Sequence, residues 1–294
     1  MGISLYIDKV RLAVLKRLGK TKKSGRTYAA WAAKGHLKEP LVTFLIQSHD
    51  KSLQVCHVLP KLRTFPRSEI VVIDDGSSLE HTARLARELT GANEFLVRAN
   101  DLYENITYDK CLRFCNGRYV ALLQDDDDFA DGMKWAETAV RLFQAHPDMA
   151  ILGGFDGRKV HFVRKENGER TYQSESMVLD GEGRPKAGQP DFRFVMTVNR
   201  APMWLDRKLF LQHLHHIDYR FAPFQSDDYE LCLRAWTKGF KVGWYDAHFT
   251  SLAAGGMRLW NNAFTKEMTA RNAPLLYDLY QQRETDIMRL IEEA

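Results

Sequence analysis

Cysteine is scarce. The chain has four, Cys56, Cys111, Cys115 and Cys232, and no two form a C-x-x-C pair. A disulfide framework is therefore not encoded, nor is a cysteine–zinc module. Long hydrophobic runs are missing, and no stretch approaches the ~18 apolar residues that would cross a bilayer. Internal repeats and low-complexity tracts are absent too. The opening MGISLYIDKVRLAVLKRLGK lacks the order of a secretory signal, because charge interrupts its apolar stretch and no small-residue cleavage site follows. Gly2 does not fit a myristoylation signal, since position 6 is Tyr. These absences predict a reduced, soluble, cytoplasmic protein.

With 45% hydrophobic and 27% charged residues, the 294-residue chain has a globular composition rather than a disordered one. The length suits one large domain or two small ones. The formal charge of +4 is unevenly spread. Residues 1–40 hold ten Lys and Arg against Asp8 and Glu39, a net of +8, and the remainder is −4. A slightly acidic body argues against nucleic acid as a partner. In the leader, Ile7, Val10, Val14 and Leu18 recur at helical spacing, with Lys9, Lys16 and Lys20 elsewhere on the wheel. Residues 1–40 are thus predicted as a basic helical extension. Its first 25 residues could rest peripherally on the cytoplasmic face of an anionic membrane, or form a solvated helix that docks on the main domain.

From residue 41, short apolar runs alternate with helical patterns. LVTFLIQ (41–47), EIVVID (69–74), EFLVRA (94–99), YVALLQ (119–124) and MAILGG (149–154) read as buried strands, and FRFVMTV (193–199) as a later one. Between them, Ser77-Ser78-Leu79-Glu80 offers a capping box for a helix with Leu79, Ala83, Ala86 and Leu89 as its stripe. Residues 132–146 place Trp135, Ala139 and Leu142 on one helical face. This alternation predicts an α/β, Rossmann-like fold with a mostly parallel sheet between helices. Ligands of such sheets bind beyond the carboxyl ends of the strands.

Three strand ends carry polar residues that a fold alone does not need: Gln47-Ser48-His49-Asp50-Lys51, Asp74-Asp75-Gly76-Ser77-Ser78, and Asp125-Asp126-Asp127-Asp128. Four adjacent carboxylates repel one another, and a cation relieves the repulsion. Hard oxygen ligands favour Mg²⁺ or Mn²⁺, commonly shared with substrate phosphates. The spacing of a calcium loop is absent. Further on, Asp228, Leu231, Cys232, Ala235 and Trp236 follow helical periodicity, which predicts that Asp228 faces inward while Asp227 faces away. A carboxylate in that position is placed to accept a proton. His213, His215 and His216 have no cysteine at ligand spacing and read as a surface helix end, and Cys111 and Cys115 as core. The Asn105-Ile106-Thr107 sequon falls inside the presumed nucleotide domain and reads as unused.

Taken together these segments resemble the inverting glycosyltransferases of family 2, with the GT-A fold. VTFLIQSHD (42–50) matches the family's opening strand, Val72 through Ser78 its VVDDGS segment, and Asn105 through Tyr119, with Lys110 and Gly117, part of its next stretch. Gln124 through Asp128 matches LDxDD, and Ser226 through Arg234 the ED helix. The resemblance covers roughly residues 41–250. It implies a domain at 41–255, with a nucleotide-sugar half at 41–154 and an acceptor half at 155–255, followed by a helical tail at 256–294. It implies that Ser48, Asp50 and Asp74 surround the base and ribose of a nucleoside-diphosphate sugar, and that Asp75, Lys110 and Asp126 line the same pocket. Asp125 and Asp127 become the DxD pair, with Asp127 as direct ligand of Mg²⁺ or Mn²⁺, and His248 is a candidate third ligand. Asp228 becomes the base that deprotonates a glycan or lipid-linked acceptor.

Asp227 departs from the family's usual Glu, and no QxxRW motif of processive synthases follows the ED-like helix. Transfer of a single sugar is the expectation, in polysaccharide, O-antigen or glycolipid assembly. A sugar-nucleotide pyrophosphorylase would want a Gly-rich first loop, which residues 47–50 lack. A silent sugar- or nucleotide-binding protein would have lost the base or the DxD carboxylates, and both are present. The tail, with Leu275, Leu276, Leu279 and Ile287, is free to close the domain or to form a homodimer contact.

Overall fold

Short strands, of which Val42–Ser48, Ser68–Asp75, Tyr119–Gln124 and Met149–Gly153 are buried along nearly their whole length, alternate with helices from residue 42 onward. The first repeat comprises β1 (Val42–Ser48), α1 (Ser52–Leu62), β2 (Ser68–Asp75), α2 (Leu79–Glu88), β3 (Glu94–Ala99), α3 (Tyr103–Leu112) and β4 (Tyr119–Gln124). Then follow β5 (Asp127–Phe129), α4 (Lys134–Ala145), β6 (Met149–Gly153), β7 (Gly157–Arg164) and β8 (Arg170–Ser176). Three short strands come next, β9 (Phe192–Phe194), β10 (Thr197–Val198) and β11 (Met203–Asp206), before α5 (Arg207–Leu209) and α6 (Asp227–Thr237). The chain finishes with β12 (Lys241–Tyr245), β13 (Phe249–Ser251), α7 (Asn262–Tyr280) and α8 (Glu284–Glu292). This computed structural model describes residues 35–200, 202–252 and 262–294, with the single positions 14, 29 and 33. It divides into two units, Met1–His36 and Leu37–Ala294. The basic helix predicted within residues 1–25 lies outside the described residues except for Val14, which is helical and exposed.

Eight strands pair in the order β3-β2-β1-β4-β11-β6-β12-β9. The half from β3 to β4 is parallel, β11 runs antiparallel to both β4 and β6, and β12 is again parallel to β6. The α/β sheet flanked by helices is as the sequence predicted. Alternate residues serve opposite faces, as the two-residue period of a strand requires. Phe44 and Ile46 pack with Val55 and Leu59 of α1 and with Trp135 and Ala139 of α4. Leu45 and Ile73 pack on the other face with Tyr108 and Leu112 of α3 and with Leu231 and Cys232 of α6. The Phe129 and Trp135 rings stack at 3.8 Å and 12°, a contact worth about 0.5–1.5 kcal/mol beyond the area it buries. Gly117 is required by a close approach, since a Cβ there would lie 2.4 Å from the Thr43 backbone nitrogen.

Three local expectations are corrected. The strand predicted at 193–199 is two strands in different sheets: β9 edges the large sheet against β12, whereas β10 joins β7 and β8. On α2 most of the predicted stripe faces solvent: Leu79 is 78% exposed, Ala83 and Ala86 are exposed with it, and Leu89 at the far end is partly buried against the core. Polar contacts set the rotation of that helix instead. Thr82 donates to Asp74 (2.6 Å), His81 meets Ser52 Oγ (2.8 Å), and Leu85 is the buried residue between them. The capping box also fails. Ser78 is the cap residue without a side-chain cap bond, Ser77 Oγ accepts from the Asp50 N–H, and Glu80 pairs with Arg84.

The tail closes the domain. Leu276 and Ile287 enter the core beside α6, and the Tyr280 hydroxyl donates to Glu230 (2.8 Å). Cys111, Cys115 and Cys232 are buried free thiols, all raised in pKa by burial. His213, His215 and His216 are exposed, and Asn105 is fully buried. No helix among the described residues is long and apolar enough to cross a membrane.

Candidate active site

The four consecutive aspartates do four different things. Beyond β4 the chain turns and pairs β5 with β13 antiparallel, so Asp127 faces Ser251 and Asp128 faces Thr250 across the ladder. Asp128 is turned away from its neighbours and held by Lys61 (2.5 Å) and His57 (3.5 Å). Burial opposes its charge, but the Lys61 hydrogen bond and charge hold it below the usual carboxylate range. Asp125 accepts from the His49 backbone N–H (3.0 Å) and lies 3.3 Å from Lys51 Nζ. Asp126 accepts from Ser251 Oγ (2.9 Å), and its carbonyl accepts from the Leu252 N–H. Asp127 is 2% exposed; one carboxylate oxygen accepts from the Gln124 N–H (3.0 Å), and the other is buried with no hydrogen-bond partner. Burial, and the charges of Asp125 and Asp126, raise the Asp127 pKa well above its ordinary value. Asp125 is also raised, chiefly by burial and against the pull of Lys51.

That arrangement suits a hard cation. A buried carboxylate oxygen without a partner and a second acidic side chain two residues away are the donors that Mg²⁺ or Mn²⁺ takes, with phosphate oxygens completing the shell. Asp127 and Asp125 would hold it. His248 is not with them. The antiparallel ladder puts it beyond Phe129, where its ring is exposed and lies 3.6 Å from Asp246 and 3.7 Å from Asp131. Among the described residues no three His, Cys, Asp or Glu side chains converge as a cluster that could hold a metal. The expectation of His248 as third ligand is therefore corrected.

The loops after β1 and β2 interlock beside the aspartates. Asp50 is half exposed, and its carboxylate accepts from the Ser78 N–H (2.8 Å), which lowers its pKa. The His49 ring meets the Asp75 carbonyl (2.7 Å). Burial opposes protonation of that ring, but this bond and the charges of Asp50, Asp101 and Asp75 raise its pKa overall. Ser48 is 1% exposed and its hydroxyl has no partner. Asp74 and Asp75 hold the turn. Asp74 is fully buried and accepts from the Ser77 N–H and from Thr82. The Asp75 carboxylate accepts from Gln47 Nε2 and from the Leu102 and Tyr103 N–H groups (2.7–3.1 Å). Gly76 has φ +82°, the left-handed conformation that an Asp-Gly turn favours. The α3 helix starts beside Asp75, and Lys110, seven residues on from Tyr103, is exposed.

The start of α6 reaches the same rim through a buried ion pair. Asp227 is 1% exposed, bonded to Arg200 and accepting from Asn105 Nδ2 (3.1 Å). Arg200, 5% exposed as a side chain, also lies 3.6 Å from Glu104 and 5.5 Å from the centre of the Tyr108 ring. Tyr108 in turn donates to the Leu123 carbonyl at the end of β4 (2.6 Å). Burial raises the Tyr108 pKa; Arg200 opposes that rise, while Asp127 and Asp125 add to it, so one phenol feels both ends of the site. The expected facing of the two aspartates is reversed: Asp227 points inward, and Asp228 is the partly exposed one. Sequence reasoning missed Arg200, Glu104 and Lys51. Arg200 and Asp227 are 27 positions apart, and no local pattern joins them.

A sequence model described as Glycosyl transferase family 2 matches residues 52–210. No curated protein matches the chain by sequence. Solved structures share its fold at low identity. A mannosyltransferase from Pyrobaculum calidifontis, in complex with GDP-Man and Mn²⁺, is 13% identical with a TM-score of 0.52, covering 88% of this chain and 74% of that one. TarS of S. aureus, in complex with UDP-GlcNAc, is 13% identical with a TM-score of 0.56, covering 84% and 70%. GalNAc-T7 with UDP, GalNAc and Mn²⁺ is 13% identical with a TM-score of 0.54; 71% of this chain aligns, spanning 43% of the longer GalNAc-T7 chain.

Proposed function

The chain belongs to glycosyl transferase family 2, and we propose that it is an inverting enzyme that moves one sugar from a nucleoside-diphosphate sugar to a hydroxyl acceptor. The observation that carries this reading is the buried, unpartnered Asp127 oxygen in β5, linked through Tyr108 and Arg200 to the start of α6, where Asp228 is partly exposed. Asp127 and Asp125 would hold a divalent cation, whose chemistry there would be charge neutralisation for the departing diphosphate. The Mn²⁺ and nucleotide ligands of the similar structures support that assignment. Ser48, His49 and Asp50 border the nucleotide. Asp228 takes the proton of the acceptor hydroxyl as its oxygen attacks the anomeric carbon opposite the leaving group, help worth about 10²–10⁴-fold. Asp227 is spent on Arg200 and is no base. Residues 41–154 then form the donor half and 155–255 the acceptor half, for a glycan or lipid-linked acceptor in polysaccharide, O-antigen or glycolipid assembly.

Thermal unfolding with a panel of nucleoside diphosphates tests the donor site. A fitting ligand at ~100 times its dissociation constant stabilises by about 2.7 kcal/mol. We expect that stabilisation with Mn²⁺ present, its loss in EDTA, and its loss in Asp127→Ala. Equal stabilisation with and without EDTA would remove the metal from the reading. The basic leader suggests peripheral membrane contact. Deleting residues 1–25 should reduce sedimentation with anionic liposomes, most at low salt, because such attraction is screened over ~10 Å at 0.1 M. Full-length protein that ignores those liposomes at low salt would limit the leader to another role.

A further inference from the structure

Lys51 is the residue just ahead of α1, and its ammonium reaches across to the acid loop, 3.3 Å from Asp125 and 3.8 Å from Asp126. Its side chain is 25% exposed and those of its partners are 12% exposed, so the contact is partly shielded from solvent screening. The place that a metal would neutralise is thus already held by a cation of the protein itself. Two further observations bear on entry of a metal. The described residues bring no three His, Cys, Asp or Glu side chains together, so they supply only part of a six-ligand shell, and water or phosphate oxygens must supply the rest. The partnerless Asp127 oxygen lies on the same loop and is buried.

We propose that Lys51 is the resident counter-ion of the acid loop, which opposes binding of a bare divalent cation and yields to one that arrives with a diphosphate. A bare ion must enter against a positive charge at contact distance. A cation carrying a diphosphate brings both the missing oxygen ligands and the negative charge that Lys51 can turn to on its flexible stem. Metal and donor therefore bind as a unit, and Lys51 sets that coupling. This inference rests on the metal-dependent reading above.

The test is protein-bound Mn²⁺ in equilibrium dialysis, for wild type, Lys51→Met and Lys51→Arg, without nucleotide and with each nucleoside diphosphate of a panel. Wild type and Lys51→Arg should bind Mn²⁺ weakly alone and far more tightly with a fitting diphosphate. Lys51→Met should bind Mn²⁺ alone about tenfold more tightly than wild type or better, the scale of removing one cation from contact distance. Its unfolding temperature, lowered by the uncompensated carboxylates, should be restored by Mn²⁺ alone. Equal Mn²⁺ affinities of wild type and Lys51→Met without nucleotide would overturn the proposal while nucleotide-promoted binding keeps the metal reading intact. Lys51→Arg binding Mn²⁺ alone about tenfold more tightly than wild type would overturn it as well, and this arm stands even where Lys51→Met folds poorly. Absence of Mn²⁺ binding with every diphosphate would remove the metal reading, and the proposal with it.

Discussion

Asp228→Asn should lower the transfer rate at saturating donor by about 10²-fold or more, the scale of lost general-base help, while donor affinity by calorimetry stays near wild type. Asparagine keeps the size of the side chain and its hydrogen-bonding capacity but takes no proton. Thermal stability should also stay near wild type, because Asp228 lies at the partly open side of α6. Asp227→Asn should show the opposite balance. It strips the buried Arg200 of its nearest anion, so stability falls clearly, and turnover measured well below the unfolding transition falls less than in Asp228→Asn. If Asp227→Asn is inactive while folded, and Asp228→Asn still turns over, the base has been assigned to the wrong carboxylate. Wild-type rates in both would place the base outside this helix.

Arg200→Met should destabilise the fold by about 3–5 kcal/mol, the usual result of removing one member of a buried pair and leaving the other charged. At roughly 2–4 °C per kcal/mol for a domain approaching this size, the unfolding temperature should drop by on the order of 10 °C. The double variant Arg200→Met with Asp227→Asn should recover part of that loss, since the fully buried Asp227 charge goes with its partner while Glu104 still loses Arg200. Differential scanning calorimetry of the three variants checks both statements. A single Arg200→Met variant melting within a degree or two of wild type would mean that the pair contributes nothing in solution.

The strands of the first half were legible because a parallel strand covered on both faces must be apolar nearly throughout, and residues 42–47 and 119–123 obey that rule. The acidic loop was legible for a related reason: nothing in a buried sheet calls for four carboxylates at one strand end. Legibility failed where tertiary contacts decide. Helix α6 buries Asp227, Glu230, Leu231, Cys232, Leu233, Ala235 and Trp236. A helix enclosed on most sides has no single stripe from which to phase its first turn, so the periodicity gave Asp228 the wrong facing. Helix α2 was misphased because two alanines and two leucines made a plausible stripe, whereas Thr82 bonding to Asp74 fixes its rotation. The run at 193–199 is apolar enough for one strand, but the N–H of Val195, just past the end of β9, donates to Val242 while Thr197 and Val198 pair with β7. Lys51 stood out only as part of a polar strand end and Arg200 not at all, since their partners are supplied by loops distant in the chain.

The reversed strand β11, wedged between β4 and β6, has a consequence for biogenesis. Until Met203 leaves the ribosome, the hydrogen-bonding edge of β4 has no neighbour on that side. Roughly 80 residues separate the two strands, so at about 5–20 residues per second the nascent chain holds that edge open for about 4 to 16 s. An apolar, unpaired edge of this kind is a template for intermolecular pairing. The segment 41–154 synthesised alone would keep that edge permanently, and would be expected to aggregate or to occupy chaperones rather than fold as a free-standing nucleotide-binding module.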